Sequence, residues 1–393
     1  MPARTEIVIT GIGQCSSLAD NVQEYWSALV DGRSGMQPLN VAKPMGKGLG
    51  AALPNGGGDE QMPQRLAQAI DSSVSEALSD ARLTGHAELK RQIAVVAGSN
   101  FSDVYHWCTE GDFFHPMREA IAENQLGGEF WGISTACASG VGILGLAGEL
   151  IRFEGVPIVL ACAYDGIYGY NYEGLASLRA LSSDQIRPFD ERRSGTLLGE
   201  GAGVIVLEER RHAEARGARI YAEMIGYGIA NDAHHFTAPE PSGVGMRNAM
   251  SQVLAEAGIA PEDVDHLNAH GTGTPHNDRI ETSAVHAIFG ESAPTMPITS
   301  LKPAIGHCMG AAGILEVIAA IFSLRDQVVP PTLNSSVRAP ECDLDYVFEK
   351  HRPAKMSTVM SNSYGLWGCN ASVALRKVDD DGVATAPRIE ERN

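Results

Sequence analysis

Short runs of aliphatic and β-branched residues recur along the chain at 6–10, 93–97, 157–161, 203–208, 296–299, 357–360 and 371–375. Each has the length of a strand. Segments with helical apolar spacing, 62–83 and Val244–Ala257, alternate with them. Runs that are apolar throughout, rather than every second residue, mark strands covered on both faces, so the pattern predicts an α/β protein with a buried sheet.

A weak internal echo relates 134–151 to 299–321. Each reads as a short strand, a turn and a Gly/Ala-rich helix, with Gly-Val-Gly-Ile-Leu-Gly-Leu from Gly140 set against Gly-Ala-Ala-Gly-Ile-Leu-Glu from Gly310. Helices this poor in charged and large side chains must be buried, and their small residues let backbones approach closely. Two buried central helices predict a duplicated core.

Composition changes the picture in three places. With 393 residues, 44% hydrophobic and 20% charged, the chain has enough apolar surface for a sizeable core and is not disordered. A formal charge of −18 with no basic run makes nucleic acid an unsuitable partner, and an anionic protein partner would need a local basic patch. Apolar stretches such as 315–324 are broken at Glu316 and Arg325, short of the ~20 residues of a bilayer span, and the first residues carry no leader pattern; no membrane association and a cytoplasmic location are expected. The seven scattered cysteines form no CxxC pair, which predicts reduced thiols and no metal site.

Cys137, in Thr135-Ala-Cys-Ala-Ser-Gly, stands where an apolar strand gives way to the first buried helix. A helix N-terminus lowers a thiol pKa and offers N–H groups to an oxyanion, although an isolated buried Cys is more often inert packing. His270 opens His-Gly-Thr-Gly-Thr after a strand-like segment, with Thr272 and Thr274 alongside. His307 lies in Lys302-Pro-Ala-Ile-Gly-His-Cys-Met-Gly, at the start of the second buried helix. One loop histidine is usually structural; one at each of two glycine-bracketed strand ends is harder to dismiss. A papain-like protease has no use for a second His or for Lys302, and the spacing does not suit a metal.

These motifs, together with Ile7-Val-Ile-Thr-Gly-Ile-Gly, Tyr25-Trp-Ser-Ala-Leu-Val-Asp-Gly-Arg-Ser-Gly, Arg187-Pro-Phe-Asp, Leu198-Gly-Glu-Gly-Ala-Gly-Val and Asn362-Ser-Tyr-Gly-Leu-Trp-Gly-Cys-Asn, cover nearly the whole chain in order. The sequence resembles the β-ketoacyl-acyl carrier protein synthases, the elongating ketosynthases of type II fatty acid and polyketide systems, in the thiolase superfamily. The resemblance implies the thiolase fold, a duplicated αβαβα five-layer sandwich; the expected division is 1–246 with the nucleophile, 247–378 with both histidines, and a tail at 379–393.

It also implies a Cys-His-His site. Cys137 would take an acyl chain from a carrier thioester, with the backbone N–H groups of Cys137 and Leu366 as oxyanion hole. His270 and His307 would stabilise the enolate left when a malonyl thioester loses carbon dioxide. Lys302 is expected to hold His307 and the local field and to keep that ring neutral, and not to act as a base. Thr272 and Thr274 match pantetheine-binding threonines; Glu316 matches a structural glutamate, beside a monovalent cation in the family's pattern. No cofactor is expected beyond the phosphopantetheine of an acyl carrier protein, the implied partner, and a homodimer or a heterodimer with a ketosynthase-like subunit is implied. Arg65 is the candidate for carrier docking.

The sequence departs from the family at the gate, where Phe-Gly-Phe-Gly-Gly-Thr-Asn is usual and Tyr364-Gly-Leu-Trp-Gly-Cys-Asn stands here. Leu366 replaces the swinging aromatic and Trp367 a glycine. The segment between Gly98 and Thr135 is short and rich in aromatics (Phe101, Tyr105, Trp107, Phe113, Phe114, Phe130, Trp131), which reads either as a rebuilt acyl pocket or as ordinary packing. Both departures favour a specialised polyketide or polyene pathway over housekeeping fatty acid elongation. A non-condensing chain-length factor is the rival reading, but such subunits usually lack the nucleophile.

Overall fold

A computed structural model describes residues 5–39, 48–54, 61–101, 108–109 and 111–378. Tyr105, Trp107 and the expected tail at 379–393 lie outside these.

Ten strands form one hydrogen-bonded sheet: β1 (Ile7–Ser16), β2 (Ala94–Gly98), β3 (Phe130–Ile133), β4 (Ile158–Asp165), β5 (Gly201–Glu209), β6 (Ala222–Asn231), β7 (His266–Asn268), β8 (Ile298–Thr299), β9 (Thr358–Tyr364) and β10 (Cys369–Lys377). Their order is β8-β7-β9-β10-β6-β1-β5-β4-β2-β3. Outward from the centre, β1-β5-β4-β2-β3 repeats as β6-β10-β9-β7-β8, with antiparallel and parallel pairings in the same places. The halves join where Ile7 to Ile9 pair antiparallel with Met224 to Ala222. The second repeat begins at β6, whereas the expected division between 246 and 247 falls inside a helix, Val244–Ala257.

Among the described residues, the long helices that build the layers are α1 (Met62–Asp80), α2 (Ser139–Phe153), α3 (Val244–Ala257), α4 (Pro275–Phe289) and α5 (Ala312–Asp326). α2 and α5 lie between the half-sheets and touch strands of both, while α1 covers the outer face of the first half and α3, backed by α4, that of the second. Three apolar layers result, one central and two outer. This is the αβαβα five-layer sandwich expected from the sequence.

The glycines of the echo have a specific task. A Cβ on Gly140 would come within 2.5 Å of the Ile314 nitrogen, and one on Gly313 within 3.0 Å of the Val141 nitrogen, so the central helices cross at these residues. Their burial also explains a misleading feature. The stretch Ala136–Phe153 is long and apolar enough to cross a bilayer by composition, a stretch that the sequence reading passed over, yet most of it is buried inside the fold.

Candidate active site

The turn that starts α2 carries Cys137, preceded by Ala136 in the left-handed region at φ 51°. Across from it runs the gate, 365–368, between β9 and β10; a Cβ on Gly365 would come within 2.9 Å of the Cys137 nitrogen. The Leu366 backbone N–H approaches the Cys137 sulfur and favours its ionised form. The thiol is nonetheless pushed up to about 12, by burial first and by the Asp165 carboxylate second, with Lys302 and the Leu366 N–H pulling the other way. The lowering expected from a helix start is thus outweighed by desolvation.

His270 follows β7. Its backbone N–H donates to Glu281 Oε1 at 2.8 Å and the next one, of Gly271, to Glu281 Oε2 at 2.8 Å. His307 is set by its own backbone: its N–H donates to the Leu197 carbonyl at 2.8 Å, and its carbonyl accepts from the Gly199 N–H at 3.0 Å. The two imidazoles meet edge to face with centroids 5.3 Å apart, and Nδ1 of each has no partner among the described residues. Burial, then the Lys302 charge, holds both well below the usual imidazole range. Both rings are therefore neutral at neutral pH, and each carries one N–H to donate.

Lys302 is fully buried between the His270 carbonyl, 2.5 Å from its Nζ, and Glu316 Oε1 at 2.7 Å. It therefore holds the backbone of His270, not His307 as expected, while its field reaches both rings. Glu316, also fully buried, keeps Oε2 without a partner among the described residues, an observation that bears on a cation beside it.

Cys137, His270, His307, Thr272, Thr274, Leu366 and Trp367 line one cavity of about 330 Å³. Thr272 and Thr274 share a hydrogen bond of 2.8 Å between their hydroxyls. Trp367 adopts φ 61° and is half exposed; its N–H donates to the carbonyl of Phe236 at 2.8 Å, and its own carbonyl accepts from Asn231 Nδ2 at 3.0 Å. The glycine usual at that position suits this conformation; tryptophan adopts it at a cost of about 1–2 kcal/mol.

The expectation for Arg65 is corrected, and the two readings left open for the aromatic segment divide between its residues. Arg65 pairs with buried Glu200 at 3.3 Å and its side chain is only 10% exposed, so it is no surface cation. Of the aromatic segment, Phe101 lines the cavity, but Phe114 packs edge-on with Phe113 and Phe130 against the sheet margin, and Trp131 lies exposed on β3. The ordinary-packing reading holds for Phe113, Phe114 and Phe130.

The acids that organise the site went unread. Glu281 and Asp278 lie three residues apart on the buried face of α4; Asp278 accepts the Gly273 N–H at 3.2 Å and the Phe189 N–H at 2.8 Å. Burial raises Glu281 to about 7 and Asp278 to about 6. Two acids at helical spacing just after the His-Gly-Thr-Gly-Thr loop were the available signal.

Residues 4–213 match the family profile "Beta-ketoacyl synthase, N-terminal domain" and 221–336 its C-terminal counterpart. The chain is 34% identical to the 3-oxoacyl-[acyl-carrier-protein] synthase 2 of Coxiella burnetii over 96% of its own length and all of that protein's. It is 32% identical to the enzyme of that name from Synechocystis, over 95% and 98%. Among solved structures, the ketosynthase of a type II polyketide acyl-carrier protein complex, bound to the hexaketide, superposes with TM-score 0.88 at 28% identity, covering 96% of this chain and all of that one. The ishigamide ketosynthase/chain length factor gives 0.86 at 31%, over 96% and 100%. A cysteine and two neutral histidines facing one cavity, in a duplicated fold matched along nearly its whole length, place the chain in the β-ketoacyl-acyl carrier protein synthase family of condensing acyltransferases.

Proposed function

We propose that Cys137 accepts an acyl chain from an acyl carrier protein and that His270 and His307 drive its condensation with a malonyl carrier. The Cys137 sulfur attacks the thioester carbonyl; the N–H groups of Cys137 and Leu366 hold the oxyanion, and the departing carrier thiol leaves with the proton that Cys137 gives up. When the malonyl thioester enters, its carboxylate departs as carbon dioxide and the electron pair becomes an enolate. Two neutral imidazoles donate N–H bonds to the enolate oxygen. Its carbon then attacks the acyl-cysteine, yielding a 3-oxoacyl carrier and freeing the sulfur. The observation that carries this reading is the pair of neutral histidines 5.3 Å apart beside Cys137.

The pathway we favour is a specialised polyketide or polyene one. Supporting it are the Leu366-Trp367 gate and the likeness to type II polyketide ketosynthases; the curated relatives favour fatty acid elongation as the second reading. Intact-mass analysis after exposure to a panel of saturated and polyunsaturated acyl carriers separates the two: preferential loading of saturated chains on Cys137 would reject the specialised pathway.

The carrier would dock at the cavity mouth. Arg179 is the sole Lys or Arg among the described residues lining the cavity, and it is exposed. Replacing Arg179 by Glu should raise KM for carrier-bound substrate with an effect that shrinks at high salt, while uncharged N-acetylcysteamine thioesters react as before. A second ketosynthase-like chain, identical or not, would pair at β3, the sheet margin where Trp131 is 44% exposed. All seven cysteines are free, which suits a cytoplasmic location.

A further inference from the structure

Each half-sheet ends on the other half's buried helix. β4 and β9 occupy equivalent places in the two repeats. Just past β9, Gly365 lies against the turn that starts α2. Asp165, the last residue of β4, crosses the other way: its Oδ2 accepts the Gly310 N–H at 2.6 Å, in the turn that starts α5.

These turns correspond residue by residue. Each holds a non-glycine residue in the left-handed region, Ala136 at φ 51° and Met309 at φ 50°. The next residue is Cys137 in one and Gly310 in the other; α2 and α5 start two residues later, and the glycines at which they cross, Gly140 and Gly313, are each the second residue of their helix. Gly310 thus stands in the second repeat where the nucleophile stands in the first. The Gly310 N–H is the counterpart of the Cys137 N–H that faces an oxyanion in the mechanism above, and a carboxylate of the protein itself already occupies it.

That carboxylate has three more donors: Ser99 Oγ at 2.7 Å and the N–H groups of Asn100 and Phe101, each at 2.8 Å. Asn100, Phe101 and Met309 all line the cavity beside Cys137, and Phe101 packs with Met309 and Leu175 in one apolar cluster. One buried group therefore ties the end of β2, sixty-odd residues earlier in the chain, to the start of α5.

We propose that Asp165 is a positioning residue that sets the acyl end of the cavity: seated in the second repeat's counterpart of the oxyanion position, its carboxylate clamps the Asn100–Phe101 wall to the Met309–Gly310 turn. The inference rests on Cys137 being the acyl acceptor. Its charge has a second consequence there. Burial, Asp165 and Cys369 push the Cys137 thiol up, Lys302 and the Leu366 N–H pull it down, and removing the Asp165 charge shifts that balance downward.

The test compares the wild-type enzyme with Asp165→Asn and Ser99→Ala in competitive acylation of Cys137 by hexanoyl and dodecanoyl carrier protein, and in the pH dependence of iodoacetamide alkylation. Asp165→Asn should change the acyl ratio about tenfold and move alkylation to lower pH, and Ser99→Ala should change the ratio about threefold, as expected for losing buried, charge-assisted hydrogen bonds. An unchanged ratio in folded Asp165→Asn overturns the clamp; if that variant fails to fold, an unchanged ratio in Ser99→Ala overturns it. A wild-type enzyme that never becomes acylated on Cys137 overturns the mechanism and the clamp together, whereas normal wild-type acylation with unaltered ratios removes the clamp alone.

Discussion

The ammonium of Lys302 donates to the carbonyl oxygen of His270 across 2.5 Å, so one buried cation both fixes the backbone of a histidine and keeps its ring uncharged. The same Nζ pairs with Glu316, whose carboxylate is as fully buried as the lysine.

Removing one member of such a pair leaves an uncompensated buried charge. Lys302→Met should destabilise the fold by about 3–5 kcal/mol, and Lys302→Met with Glu316→Leu should recover most of that loss. Activity should stay low in both, because the His270 carbonyl has lost its donor. Thermal unfolding alongside turnover checks the split; a double variant that regained full turnover would show the lysine to be structural only.

Cys137→Ala should abolish acyl loading and condensation, and peptide mapping of the wild type should find the acyl group on Cys137 and on no other cysteine. With the thiol pushed up to about 12, its alkylation by iodoacetamide should keep rising up to pH 10 without a plateau.

His270→Ala and His307→Ala should each lose ~10²-fold or more in malonyl decarboxylation, the scale of a lost oxyanion donor. Because both imidazoles titrate well below their usual range, neither should impose a step on the rate between pH 6 and 8.

Glu281 carries a pH signature. Its folded pKa, about 7, lies above that of an exposed glutamate, so the folded state holds the proton more tightly than the unfolded state. The stability this confers is fully present below about pH 4.5 and is lost as pH rises through about 7, a term on the order of 3 kcal/mol. Glu281→Gln removes that term, and its unfolding free energy should vary less between pH 5 and 8 than that of the wild type.

The gate variant Leu366→Phe with Trp367→Gly should shift competitive acylation toward saturated chains, since an aromatic returns to the acyl side and a flat wall is removed. Trp367→Gly alone relieves the left-handed strain at φ 61° but frees the loop, so its net effect on stability should be small. Iodoacetamide should still reach Cys137 in both.

Much of the molecule was legible in one dimension. Gly-rich helices without large polar faces could only be central, and the order of motifs from Ile7 to Asn370 carried the fold and singled out Cys137, His270 and His307, which line one cavity, because each signal depends on residues adjacent in the chain. What tertiary structure decided are relations between residues far apart. Arg65 looked like a free surface cation until Glu200 closed on it; Lys302 was assigned to the nearer histidine in sequence but reaches the other; and Asp165, unremarked at a strand end, meets Ser99 only when β2 pairs with β4 and Gly310 only when the half-sheets stack. Desolvation works the same way. A thiol at a helix start reads as activated from its neighbours in sequence, yet burial by both repeats sets its protonation, and that burial exists only in the assembled fold.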